Sequence, residues 1–355
     1  MNEIIEIQLN EGNPKNIEFQ SDITKDSYNY FMAVDTFLVF KAINNIYLCV
    51  FSDIKNSIIS YDLIENKTIN KIKNAHENNI SCLRYYLDKN NKRDLVLSLS
   101  YLDSNIKLWN INTLELILNL KNINDEACMY SACFLNYKDE NYIISSIDNL
   151  KGLSNKYEPI KIFDFNGKKV KVLNFEEIGE QIIYIITYYD KKLSKTYILT
   201  GNQRGFLTSS DIDTNKFYHK YEKYNYPNDY INLEQTFYFD LKIIENEKMT
   251  KLIGANSYGY ILLFDFHKGN FLELFEVCFD GIHGLCLWNF EYLFVACDDS
   301  KIRLVEIETR KIVKELDGHK KPIISIKKFK HPLYGECLVS QTIFNDYIKL
   351  WTIQE

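Results

Sequence analysis

Two groups of side chains in this 355-residue chain have the types that could do chemistry. His76, Ser98 and Asp103 supply the parts of a nucleophilic triad: a hydroxyl to attack, an imidazole to take its proton and a carboxylate to orient the imidazole. No Gly-x-Ser-x-Gly elbow and no glycine-rich loop accompanies them. Cys278, His283 and Cys286 carry zinc-binding groups, but a tetrahedral ion needs a fourth ligand at matching spacing, and the sequence offers none. P-loop, His-Glu-x-x-His, dinucleotide and EF-hand signatures are also missing. A non-enzyme without metal or cofactor is expected.

Composition narrows the classes further. Apolar residues make up 46% of the chain and charged ones 25%, which suits a packed domain. The net charge is −6, and the arginines (Arg84, Arg93, Arg204, Arg303, Arg310) are scattered. Phosphate recognition relies on basic faces and arginine forks, so nucleic acid is not the expected partner. The densest basic stretch, Lys320, Lys321, Lys327, Lys328 and Lys330, reads as solvated surface. The opening "MNEIIEIQLNEG" lacks the basic and apolar regions of a signal peptide, and no run of about 18 apolar residues occurs. The cysteines sit among apolar neighbours, as in "YLCVF" and "SACFL", the pattern of reduced, buried thiols. A cytoplasmic protein is expected, with the nucleus as the alternative.

The elements that must position these residues repeat. "IKLWN" at Trp109 returns as "IKLWT" at Trp351. The pattern apolar-x-apolar-aromatic-acid gives seven centres: Tyr61-Asp62, Trp109-Asn110, Phe163-Asp164, Ser210-Asp211, Phe264-Asp265, Val305-Glu306 and Trp351-Thr352. The weakest is supported by a gap-free match of "NQRGFLTSSDI" to "NSYGYILLFDF". A spacing of roughly 40–55 residues, with room for four strands each, is the signature of propeller blades. The expected fold is all-β, a seven-bladed β-propeller of four-stranded antiparallel blades in one domain over residues 1–355. Too little sequence follows Trp351 for a fourth strand. The alternating "EIIEIQL", residues 3–9, is expected to close blade seven as its outermost strand, since an open edge invites aggregation.

A second pattern precedes the two tryptophan centres. His76 is followed by Ile80, Leu83 and Tyr86, and His319 by Ile323, Ile326 and Phe329, at the same offsets. Ser98 precedes Asp103 by the same interval as Ser340 precedes Asn345. Residues 76–110 and 319–352 therefore resemble WD40 repeats, and blade by blade the resemblance extends over nearly the whole chain. It implies two structural tetrads, His76–Ser98–Asp103–Trp109 and His319–Ser340–Asn345–Trp351. The intact Trp-Asp pair never occurs, and Asn345 lacks the charge that would strengthen a bond to His319. On this resemblance the His-Ser-Asp set holds a blade and does not react.

The resemblance also implies that the loop entering each blade shares the top face with the loop between its second and third strands. Two insertions map there, "NLKGLSNKYEP" (149–159) and "YEKYNYPNDYINLEQ" (221–235). Exposed tyrosines make good anchors, with large area and few rotamers to freeze. Lys156, Tyr157, Tyr221, Tyr224, Tyr226 and Tyr230 are thus the candidate partner-binding residues. Phosphoinositide-binding propellers use a paired arginine motif, and here Arg204 stands alone. The expected role is a non-catalytic scaffold or adaptor binding other proteins or peptides through the top face, possibly within a larger complex. The alternative is a reader of a short basic peptide, such as a histone tail, at the channel mouth; a propeller enzyme is a distant third.

Overall fold

The computed structural model describes residues 8–9, 15–17, 36–53, 55–100, 102–103, 105–121, 129–146, 159–173, 182–202, 205–221, 237–342 and 348–354. Seven antiparallel sheets follow one another along the chain. Blade one has strands Phe37–Lys41, Tyr47–Ser52, Ile58–Asp62 and Lys67–Ile72; blade two has Ile80–Asp88, Arg93–Ser100, Asn105–Asn110 and Glu115–Leu120. Blade three comprises Ala132–Tyr137, Glu140–Ser146, Ile160–Asp164 and Lys169–Leu173; blade four comprises Ile182–Asp190, Lys195–Asn202, Leu207–Asp211 and Lys216–Tyr221. Blade five is built from Tyr238–Glu245, Thr250–Asn256, Tyr260–Asp265 and Phe271–Glu276, and blade six from Ile282–Leu287, Tyr292–Cys297, Ile302–Glu306 and Lys311–Leu316. Blade seven contains Ile323–His331, Gly335–Thr342 and Ile348–Gln354. Each of the seven repeat centres falls in a third strand. No helix long and apolar enough to cross a membrane occurs among the described residues.

The first strand of each blade contacts the first strand of the next, and Ile323–His331 of blade seven meets Phe37–Lys41 of blade one, so the ring closes. The apolar interior is accordingly seven separate layers, one between each pair of neighbouring blades. Strand geometry explains how one sequence feeds two layers. Successive side chains point to opposite faces of a sheet. In blade two, Ile106 and Leu108 pack against blade three, whereas Trp109 packs against blade one. In blade seven, Ile348 and Leu350 face blade one and Trp351 faces blade six. Blade five divides in the same way, with Ile261 and Leu263 toward blade six and Leu262 and Phe264 toward blade four.

The polar residue after the first five centres has a local task. Asp62, Asp164, Asp211 and Asp265 each accept two backbone N–H groups through Oδ1, from Ile64 and Glu65, Asn166 and Lys168, Asp213 and Thr214, and His267 and Lys268. Asn110 accepts one from Asn112. These side chains build the turn into the fourth strand, where a short polar side chain mimics a backbone turn. A residue with positive φ follows in each of these turns; Gly167 and Gly269 take that conformation without steric cost. A bulge sits in the pairing of third and fourth strands of blades one to six, next to the centre residue. Bulges sharpen the local twist, which propeller blades require.

The outer edge of blade seven is taken by N-terminal chain. Gln8 and Leu9 pair with Gln354 and Ile353, and Lys15–Ile17 pairs with Ile348–Leu350 of the same strand. Of the expected closing strand, residues 3–9, only Gln8 and Leu9 fall within the described residues. The blade seven–blade one layer, with Phe37, Phe51 and Tyr61 against Phe329, Val339 and Ile348, is where the ring joins. Replacing Phe51, which is 2% exposed, by Ala is expected to cost about 3–5 kcal/mol. A loss of that size in the unfolding free energy from urea titration, with blade content preserved by circular dichroism, is the measurement that checks it.

Candidate functional site

The two tryptophan centres form matching chains. His76 Nε2 lies 2.8 Å from Ser98 Oγ, which accepts the Trp109 indole N–H at 2.9 Å. His319 Nε2 lies 2.6 Å from Ser340 Oγ, which accepts from Trp351 at 2.8 Å. The shared serine joins the loop entering the blade to its second and third strands. In blade two the other ring nitrogen, Nδ1, faces Asp103 Oδ2 at 3.6 Å, too long for a hydrogen bond. Asp103 instead accepts from the Glu77 and Asn78 backbone and from the Asn78 side chain. Burial alone would raise its carboxyl pKa, but bonds from Asn78, Glu77 and Ser100 hold it below the usual carboxylate value. Asn345 lies outside the described residues.

The lysine of Ile-Lys-Leu-Trp completes the clamp. Lys107 Nζ donates to Ala75 O at 2.5 Å, and Lys349 donates to Gly318 O. In both blades the lysine reaches the backbone just before the histidine, so the four-residue motif ties the third strand to its own entry loop. Ser98 and Ser340 are wholly buried. A hydroxyl so enclosed, hydrogen-bonded to tryptophan and histidine, presents no nucleophile to a substrate.

The zinc-like trio is likewise dispersed. Cys278 lies in the layer between blades five and six, and Cys286 in that between six and seven. His283 bonds Asp298 at 2.8 Å and stacks on Phe239. No group of three or more His, Cys, Asp or Glu gathers as metal ligands among the described residues.

Tyr221 requires a correction. It was expected in an exposed loop, yet it ends the fourth strand of blade four and is wholly buried, its hydroxyl near Ser209 Oγ and Phe266 O at 3.2 Å each. Ile72, Leu120, Leu173 and Leu316 end the fourth strands of other blades and are buried too. Counting from the centres marks Tyr221 as the same core position, so the repeat itself held the signal. Lys156, Tyr157, Tyr224, Tyr226 and Tyr230 lie outside the described residues.

Sequence reading missed a set of loop tips. Because strands alternate in direction, the entry loops and second-to-third loops share one face, and the first-to-second and third-to-fourth loops the other. Phe279 (94% exposed) and Leu102 (64%) stand on the entry face; Leu333 (75%) and Phe290 (67%) stand on the opposite face. Exposed apolar side chains gathered on one surface mark interaction sites. In the sequence each is one apolar residue among many, and nothing distinguishes it from a strand residue.

Both tetrad histidines titrate abnormally. Burial, with Lys107 adding to it, brings His76 down to about 4, and Asp103 only partly opposes this. Burial and then Lys349 bring His319 down to about 3. An exposed imidazole titrates near 6.5, so the unfolded chain takes up these protons first as pH falls. Their contribution is complete above about pH 6.5 and is lost progressively toward pH 4 and below. The melting temperature is expected to fall between pH 7 and pH 4, with a shallower slope in His319→Gln. Ser340→Ala removes the acceptor of a buried indole N–H and is expected to cost about 1–3 kcal/mol, read as a lower denaturant midpoint at pH 7.

No family model matches the sequence. A stretch of 102 residues, 29% of this chain, is 33% identical to the U3 small nucleolar RNA-associated protein 21 homolog of Schizosaccharomyces pombe. The chain spans only 11% of that protein's length. Seven four-stranded blades in a ring, with two blades clamped by His–Ser–Trp chains at the repeat-specific positions, give this chain the architecture of a divergent WD40-type propeller.

Proposed function

We propose that this protein is a non-catalytic interaction scaffold that holds other proteins within a larger assembly. The observation that carries the reading is the combination of a closed, rigid ring with large apolar side chains at loop tips, Phe279 foremost. Loops fixed by rigid blades bind partners with little ordering cost. The side chains that could perform chemistry, His76, Ser98 and Asp103, are already engaged in holding a blade. The relative's name places that protein in association with small nucleolar RNA; membership of a nuclear assembly is therefore part of the proposal, and the nucleus is preferred over the cytoplasm. A propeller accommodates many binding roles, so the fold alone supports the class and not the partner.

Two segments are proposed as the main contact, residues 149–159 with Lys156 and Tyr157, and residues 221–235 with Tyr224, Tyr226 and Tyr230. Tyr221 is excluded because it belongs to the core. A second reading, recognition of a short basic peptide, is favoured by exposed Phe279 standing next to exposed Asp280 on the entry face. Co-purification at native level followed by mass spectrometry separates the two: a stoichiometric assembly supports the scaffold, and purification alone with peptide affinity supports the reader. Replacing Tyr224, Tyr226 and Tyr230 with Ser is expected to reduce capture of the co-purifying proteins at least several-fold while leaving the melting temperature unchanged. Undiminished capture in a pull-down removes this segment from the proposal.

A further inference from the structure

We infer that the outer cleft between blades two and three is a binding site for a small phosphorylated polyol, either a free sugar phosphate or the inositol phosphate headgroup of a lipid. This goes beyond the capture of proteins and does not depend on it. The cleft has a volume of about 390 Å3, within the range of small-molecule sites. One wall is the end of the fourth strand of blade two, with Asn119, Leu120 and Lys121. The other comes from blade three, with Lys161 and Phe163 on its third strand and Gly167 and Lys169 at the turn into its fourth.

The repeat explains why a cleft stands here. Ser145 pairs with Lys161 as Ser98 pairs with Lys107, so Ser145 is the counterpart in blade three of the clamp serine. The centre residue of this blade is Phe163, which has no N–H to give, and Ser145 Oγ is buried without a hydrogen-bond partner. A phenyl ring is also smaller than an indole and leaves room beside it. Leu120 and Phe163, both buried, make the floor apolar. Gly167 has φ 85°, and a Cβ added there would fall 2.9 Å from Leu118 Cδ1 and 3.0 Å from Leu120 Cδ2. The turn thus presses on blade two and shuts one end of the cleft.

The polar groups identify the ligand. Three lysines line the cleft, and no Asp or Glu is among its lining residues. Lys121 and Lys169 are exposed at the rim. Lys161 is 4% exposed, where water screens a charge poorly. A carboxylate brings a single negative charge. A phosphate monoester brings about −1.5 to −2 at neutral pH and three acceptor oxygens, a better match for three ammonium groups. Lysine serves in such sites as a point charge. Asn119 Oδ1 is buried and receives no hydrogen bond, so the ligand that fits also carries a donor, as the hydroxyls of a sugar or inositol do.

Isothermal titration of the full chain with ribose 5-phosphate, against ribose, tests the free form of the ligand. Flotation with phosphatidylcholine vesicles containing phosphatidylinositol 4-phosphate, against vesicles containing phosphatidylinositol, tests the lipid-borne form. Saturable, phosphate-dependent binding is expected in at least one arm, with a Kd below about 1 mM, weakening as salt rises; the arm that responds identifies the source. K121E/K169E is expected to lose about tenfold or more of that affinity at an unchanged melting temperature, since both side chains are exposed. Phe163→Trp is expected to weaken binding by filling the cleft and to raise the melting temperature by donating to Ser145 Oγ. The control K92E, at the far end of blade two, should bind as the parent does. Absence of binding in both arms overturns the inference. Equal binding of the unphosphorylated controls, or binding that survives K121E/K169E, does so as well.

Discussion

Each blade presents two apolar faces, and no blade can bury both alone. This constraint governs the structure. A sheet that is hydrophobic on both sides needs a neighbour on each, and a linear stack would leave two faces in water. Closing the stack into a ring removes the exposed ends, and here the layer of Phe37, Phe51 and Tyr61 against Phe329 and Ile348 does so. The interior is thus seven equivalent layers, and the same alternation of side chains supplies every one of them.

The polar chemistry serves the same end. A twisted sheet fixes its strands through the ladder, but the angle of each entry loop is not set by backbone pairing. In blades two and seven a serine shared by histidine and tryptophan ties that loop to the third strand, and the adjacent lysine binds a loop carbonyl. Burial holds both imidazoles well below the usual histidine value. In blade four the corresponding positions pair two threonine hydroxyls, Thr200 and Thr208, at 2.6 Å. Other blades keep the turn-forming acid and dispense with the tryptophan, so the repeat tolerates loss of either device.

A ring fixed in this way leaves its loops as the variable surface. Apolar tips stand on both faces, Phe279 and Leu102 on the entry face and Phe290 and Leu333 on the face behind it.

The sequence by itself determined the number of blades and the place of each third strand, whereas the holding roles of His76, Ser98, Trp109, His319, Ser340 and Trp351 came with the resemblance to WD40 repeats. Blade count and strand place follow from local periodicity, because a strand's two faces are set by neighbours in sequence. Tyr221 shows the boundary of such reading: its position in the repeat marks a core residue, whereas its tyrosine-rich surroundings suggested an exposed loop. Only the tertiary structure decided that Asp103 holds backbone N–H groups at a distance from its histidine, and that Phe290, Leu333 and Tyr334 share one end of adjacent blades. Contacts between loops of different blades depend on how far each sheet twists and where the ring brings its ends. No sequence period encodes that distance, since it is fixed by the packing of all seven layers at once.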